Sequence, residues 1–412
     1  MSAGAREFDV IIVGAGVIGA VMACLLRSPA AGAPLRVALI ADRFAPPPSL
    51  DADWDLRVFA LSRASERLLR LCGVWQALPA TRVNRYERMC VWDAQGSAHG
   101  AGSLRFDCAA LGEPNLGYIV DGQVLQWQAL ERARALGAVL IEAPLSSIAW
   151  SEDGVRAGLA DGRELRGTLI AGADGPESKT RQLLGIETAG HAYDQDALVT
   201  HVRTAVAHAD TAWQRFLATG PLAFLPLCDG RSSIVWSTTR AEATRLRALD
   251  RDAFGAALTA ASGEVLGSCT VAAPVAAFAL KLQYALAYAQ PHAVLLGDAA
   301  HVVHPLAGQG LNLGLMDCAV LAQVLKDCGV PRNFGDMKVL RRYERWRRSE
   351  NLLAGAGLDA LERLFSYASG PIPAARRFGL GAVERLPMLK RRLARQALGL
   401  GGALPAIIKQ AG

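Results

Sequence analysis

The segment FDVIIVGAGVIGAVMACLLR, residues 8–27, restricts the fold more than any other part of the chain. Phe8 to Val13 reads as a fully buried strand. Gly14-Ala15-Gly16-Val17-Ile18-Gly19 reads as a tight turn, and Val17 to Arg27 as a helix packed back on that strand. Leu35 to Ile40 offers a second short apolar run suited to a parallel neighbour. A strand–helix–strand opening of this kind predicts a doubly wound α/β domain. The glycines meet three needs of a dinucleotide site: a tight turn, close backbone approach to a pyrophosphate, and close helix–strand packing. The helix N-terminus adds N–H donors and positive potential for phosphates. By itself the pattern also fits a glycine-rich apolar turn with no ligand.

Such a site should hold a ribose hydroxyl with a carboxylate about 20 residues on. Asp42 stands near that place, but the strand end itself is Ala41. Either Asp42 serves from the next position or the ribose is held differently, and an unliganded surface Asp fits as well.

The uncharged run Val10 to Leu26 imitates an export signal, yet Glu7 and Asp9 precede it and glycines interrupt it. Strand, turn and helix explain it better than a leader does. No other uncharged stretch reaches the roughly 18 residues that mark a spanning candidate. The eight cysteines form no CxxC pair, which argues against a zinc site or disulfide framework and for a reducing compartment. A cytoplasmic protein is expected, with contact at the inner face of the cytoplasmic membrane left open. The net charge of +6 is modest, and no basic stripe interleaved with aromatics points to nucleic acid.

Farther along, Ser62 to Leu71 and Leu125 to Leu136 have helical spacing, and Ala138 to Ile141 is strand-like. Ile148–Trp150, Val155–Leu159 and Leu165–Ile170, joined by Asp-Gly turns, predict a small antiparallel meander. Residues 197–236 turn to strands, with Ala223–Leu227 and Ser232–Ser237 as a hairpin, and residues 241–263 resemble one charged surface helix. Ala293 to Leu296 returns to α/β texture. The predicted division assigns 1–75, 109–190 and 285–345 to a nucleotide domain. It assigns 76–108 and 191–284 to a sheet-rich substrate lobe, and 346–412 to C-terminal helices.

Two later motifs add chemistry. Gly172 to Arg181 (GADGPESKTR) follows a strand; Asp174 and Gly175 can lie near a pyrophosphate or ribityl chain, while Ser178 and Arg181 cap and anchor the next helix. Gly297 to Gly314 (GDAAHVVHPLAGQGLNLG) runs from a strand through a loop into a helix predicted over 311–325. Asp298 can accept from ribityl hydroxyls. Pro305 and Gly308, with Gln309, shape a loop able to lie along a planar ring. N–H groups near Gly310, Leu311 and Asn312 suit the electron-rich edge of a reduced isoalloxazine. FAD is therefore the expected cofactor. His301 and His304 read as structural, since no carboxylate stands at a suitable spacing, and no metal site is expected.

These three motifs, in this order, resemble the single-component aromatic-hydroxylase flavoproteins (group A monooxygenases), and most closely the ubiquinone-biosynthesis hydroxylases. Asp55–Ser62 with Gly73-Val74-Trp75, Leu116–Val120, and Gly220–Ala223 leading to Asp229-Gly230-Arg231 fit the same family. The resemblance spans roughly residues 8–400. It implies a Rossmann-like FAD domain interrupted by a sheet-rich lobe, with Arg57 near the pyrophosphate and Gln123 beside the cofactor. It implies Asp298 on the ribityl chain and Pro305 to Asn312 along the isoalloxazine. NADPH or NADH would reduce the flavin transiently, and O2 would give a C4a-hydroperoxyflavin that hydroxylates a polyprenylated phenol. Other ubiquinone-biosynthesis proteins are candidate partners. Hydroxylation of a small soluble aromatic, or a non-catalytic FAD-bearing subunit, are the alternatives.

Leu386, Leu389, Leu393, Ala397 and Leu400 recur at helical spacing among Arg385, Lys390, Arg391, Arg392 and Arg395. The pattern fits equally a helix closing the domain and a basic amphipathic helix on an anionic membrane surface.

Overall fold

The computed structural model describes residues 7–29, 32–49, 51–100, 102–151, 154–303, 308–366, 372–402 and 404–409. The opening segment folds as its pattern requires. Phe8–Val13 and Val37–Ala41 are buried at every position and pair in parallel, as strands covered on both faces do. The first sheet runs in the order 289–290, 293–295, 164–172, 8–13, 37–41, 139–142. Its central pairings are parallel, and the meander Leu145–Ser151, Gly154–Leu159, Glu164–Gly172 extends it antiparallel. Helix Val17–Arg27 lies between this sheet and helices Gly122–Ala135 and Gln309–Cys328.

The second sheet has nine strands, with the path 301–302, 276–285, 188–204, 232–239, 220–226, 211–217, 88–93, 103–107. Alternation decides its two faces. Leu198, Val202, Leu222, Phe224, Ile234 and Trp236 pack on helices Arg240–Arg247 and Arg251–Ser262. The single helix expected over 241–263 is thus two, because Asp250 accepts from Ala253 N at 2.8 Å and starts a second one. A small third sheet, Val58–Leu61, Gly117–Asp121 and Val83–Tyr86, meets the other face of the hairpin through Trp54, Ile119, Leu225 and Leu227.

Two elements join the first and second sheets. Strand Ala293–Leu295 belongs to the first sheet, and His301–Val302, only six residues past Leu295, edges the second. Helix Met337–Ser366 lies against both sheets. Helix Ile372–Arg385 is tied to the second sheet by the buried Arg376–Asp93 ion pair and by Glu384, which accepts from Arg105 N at 3.0 Å. Among the described residues no helix is long and apolar enough to cross a membrane.

The helical spacing of the C-terminal leucines and arginines, from Arg385 on, falls on two helices rather than one. Pro387 starts a new helix, Pro387–Ala397, whose Ala394, with Leu398 just beyond, is buried. Leu386, Leu389 and Leu393 instead point outward, with Met388 88% and Phe378 80% exposed. Arg385, Arg391, Arg392 and Arg395 are exposed beside them.

Candidate functional site

The glycine turn shows what each glycine is for. Gly14 has φ +105°, and a Cβ there would lie 2.4 Å from Ala173 O. A Cβ on Gly19 would lie 1.8 Å from Gly14 O, so this glycine lets the helix close on the turn. Gly16 differs: it has extended geometry and nothing within 4 Å of a Cβ position. Gly16 is also the N-cap of Val17–Arg27, and no side chain caps that helix. Uncapped N–H donors beside open space can receive an anion. Ala15 O accepts from Gln126 Nε2 at 3.0 Å, which ties the turn to helix Gly122–Ala135.

The middle motif packs directly on this turn. Asp174 accepts from Thr180 N at 2.8 Å, Thr180 Oγ1 at 2.9 Å and the Ser178 hydroxyl, so its carboxylate braces its own loop. Ser178 Oγ accepts from Arg181 N at 2.9 Å, the capping read from sequence. Arg181, buried, reaches Ala299 O at 2.9 Å and so fastens this loop to the late motif. Gly175 has φ +81° and open space around it.

Arg57 and Gln123 come together around the start of helix Gly122–Ala135. A Cβ on Gly122 would lie 2.3 Å from Arg57 O, and Asp121 caps the helix through Val124 N. A cavity of about 290 Å³ beside them is lined in part by Asp53, Asp55, Arg82 and Gln123. Arg57 is exposed and stacks over Phe59 at 5.4 Å. Burial raises the Asp298 carboxyl, and the nearby charges of His301 and Arg57 oppose that shift. Asp42 stands exposed past Ala41, and the neighbouring strand places Glu142 opposite Ala41.

The late helix begins at Gln309, two residues before the predicted start, with Gly308 as a left-handed N-cap and again no side-chain cap. Gly310 and Leu311 follow in its first turn. Asn312, expected along the isoalloxazine, has its whole side-chain amide engaged within the chain. Its Oδ1 accepts from Ser62 N at 2.9 Å and Ser65 Oγ at 2.7 Å, and its Nδ2 donates to Ala60 O and Gly308 O. All of its hydrogen-bonding capacity braces the loop against the third sheet. Pro305 and His304 lie outside the described residues.

His301 has a carboxylate partner that spacing along the chain did not offer. Its Nε2 meets Asp317 Oδ2 at 2.6 Å, and the same oxygen accepts from Gly297 N at 2.9 Å. Asp317 Oδ1 accepts from Arg347 Nε at 2.7 Å and Asn351 Nδ2 at 3.2 Å. Arg231, part of a hairpin turn in the sequence reading, also has a larger role. It donates to Asp229 and, 178 positions away along the chain, to Asp53 at 3.0 Å. Those two pairings raise the Arg231 pKa, and the hydrogen bond from Arg231 holds the Asp53 carboxyl down at about 2.

A family model described as an FAD binding domain matches residues 7–351. The 3-demethoxyubiquinol 3-hydroxylase of Escherichia coli K12 is 37% identical over 401 residues, covering 95% of this chain and 98% of that protein. This chain belongs to the ubiquinone-biosynthesis hydroxylases of the FAD-binding family. Another hydroxylase of that family, ubiquinone hydroxylase UbiL of Rhodospirillum rubrum, is 36% identical, covering 97% of this chain and 92% of that one. The fold also matches p-nitrophenol 4-monooxygenase of Pseudomonas putida, with a TM-score of 0.74 at 18% identity over 97% of this chain and 99% of that one. Members of the family are FAD-dependent monooxygenases. Two uncapped helix N-termini, an open Gly16 and a braced loop at Gly308 fit that cofactor.

Proposed function

We propose that this chain hydroxylates the aromatic ring of a polyprenylated phenol in ubiquinone biosynthesis, with NADPH or NADH as reductant and O2 as co-substrate. The observation that carries the reading is the span Ala293–Val302, which joins the two sheets, with the uncapped helix start at Gly308 beyond it. FAD, when bound, supplies the electron transfer and oxygen activation. The chain's own residues bind, orient and exclude water. Gly14 to Gly19 and Arg57 receive the pyrophosphate, with Gly175 leaving room beside it, while Asp174 holds its loop in place. Asp298 and Gln123 flank the ribityl chain, and Asp42 is the candidate for the adenosine ribose. N–H groups of Gly310 and Leu311 lie at a helix start, where they stabilise negative charge on the ring edge.

Purified protein with FAD, given NADPH, O2 and a short-chain prenyl phenol, is expected to form one hydroxylated product per NADPH consumed. NADPH oxidation stimulated by the phenol with no product would remove the monooxygenase reading. Flavin that NADPH never reduces would instead favour a non-catalytic subunit.

The helices over 372–397 are read as a contact for an anionic membrane surface, where such a substrate resides. Leu386, Met388, Leu389 and Leu393 are exposed together beside four exposed arginines, the composition of an interfacial helix. Replacing Leu386, Met388, Leu389 and Leu393 by serine is expected to abolish co-sedimentation with vesicles containing phosphatidylglycerol. Turnover of a soluble short-chain phenol should stay within about twofold, because these side chains lie outside the flavin loop. Undiminished vesicle binding by the variant would rule out this surface.

A further inference from the structure

Within the second sheet, strand Thr188–Thr204 pairs antiparallel with Ser232–Thr239, and His201 stands directly opposite Ser233. Side chains opposite one another in such a ladder share a face. Leu198 and Val202 point to the helices, so His201 and Ser233 point to the other side. Leu225 is the next partner on that side, and it packs with Ala60, which touches the Gly308 turn.

Both His201 and Ser233 are fully buried, at 0% exposure. Neither ring nitrogen of His201 has a hydrogen-bond partner, and neither does Ser233 Oγ. Buried polar groups are normally satisfied, and two adjacent unsatisfied ones on one face require a ligand or water to complete them. Burial, with Arg231 alongside, lowers the imidazole pKa, while Asp53, Asp229 and Asp121 oppose the shift. Neutral imidazole keeps one acceptor nitrogen. On the same face, Val199 and Val235 continue the strip as apolar surface. A polar pair at the end of an apolar strip matches a molecule with one hydroxyl and a hydrocarbon body.

We propose that His201 and Ser233 receive the ring hydroxyl of the phenol substrate, His201 accepting its hydrogen bond and Ser233 completing the pair, and so fix which face and edge of the ring meets the flavin. This assignment rests on the hydroxylase reading above.

The test uses the full-length protein with bound FAD and two probes: a phenol with a short prenyl chain, and its O-methyl ether, which cannot donate. Binding is followed by perturbation of the flavin absorbance. The parent protein is expected to prefer the phenol over the ether roughly tenfold to a hundredfold, the discrimination a site built around a hydroxyl achieves. His201→Leu should bind the ether as before and lose the preference. His201→Gln, which keeps an acceptor, should restore part of it, and Ser233→Ala should reduce it. Melting temperature and flavin content identify variants that misfold; should His201→Leu be one, His201→Ala and Ser233→Ala carry the comparison. An undiminished preference in His201→Leu, or in Ser233→Ala should the leucine variant misfold, overturns the assignment, as does equal loss of both probes. If the parent protein binds neither probe, the substrate reading itself fails, an outcome distinct from failure at His201.

Discussion

Gly16→Val is expected to give a folded protein that purifies without flavin. The backbone at Gly16 is extended, a conformation valine adopts readily, and no atom lies within 4 Å of its Cβ position. Side-chain atoms added there fill the space in front of the uncapped helix start, where a pyrophosphate oxygen would approach. Affinity for FAD should fall at least about 100-fold, or roughly 2.7 kcal/mol. Gly19→Val should behave differently, because its Cβ would overlap Gly14 O and separate helix from strand. Circular dichroism and the flavin-to-protein absorbance ratio distinguish the two. Full flavin occupancy in Gly16→Val would refute the assignment of this turn to the pyrophosphate.

Asp317→Ala should produce the largest loss of stability. Its carboxylate is fully buried and joins Gly297 N, His301, Arg347 and Asn351. Removing it leaves the Arg347 guanidinium, 1% exposed, without its buried counter-ion. Breaking a buried pair from one side costs about 3–5 kcal/mol, measurable by urea unfolding. Burial alone would raise the Asp317 carboxyl, but His301 and Arg347 outweigh it and hold it at about 2. A carboxyl depressed in the folded state stabilises fully above the unfolded value near about 4, and that contribution disappears as pH falls toward about 2. Acid unfolding of the parent protein should therefore steepen in that window, and the variant should lack this component. An alanine variant within about 1 kcal/mol of the parent would show that the network contributes little.

The parts of the fold that were legible in the sequence are those fixed by neighbours along the chain. Parallel strands announce themselves as apolar runs, the dinucleotide turn as spaced glycines, and the meander as Asp-Gly turns between short strands. The parts that were not legible depend on residues brought together from far apart. Asp317 reaches His301 from the next helix, and Arg347 reaches Asp317 from the one after that. Arg231 and Asp53 meet across 178 positions. The spacing along the chain puts Asn312 at the start of a helix, yet only the fold shows that its amide is committed to Ala60, Ser62, Ser65 and Gly308. Helical spacing of Leu386, Leu389 and Leu393 could not say which way they face. That direction is set by the restart at Pro387 and by Ala394 packing inward.

The short span from Leu295 to His301 bears on how this architecture can be taken apart. One end is hydrogen-bonded into the parallel sheet and the other into the antiparallel one, with Asp298 between them. The span belongs to neither sheet alone, so the two sheets are not interchangeable modules. A chimera that exchanges the antiparallel sheet for a relative's must carry its own copy of this span or lose the register between the two sheets. Substrate range in such an enzyme is more readily altered one side chain at a time than by domain exchange.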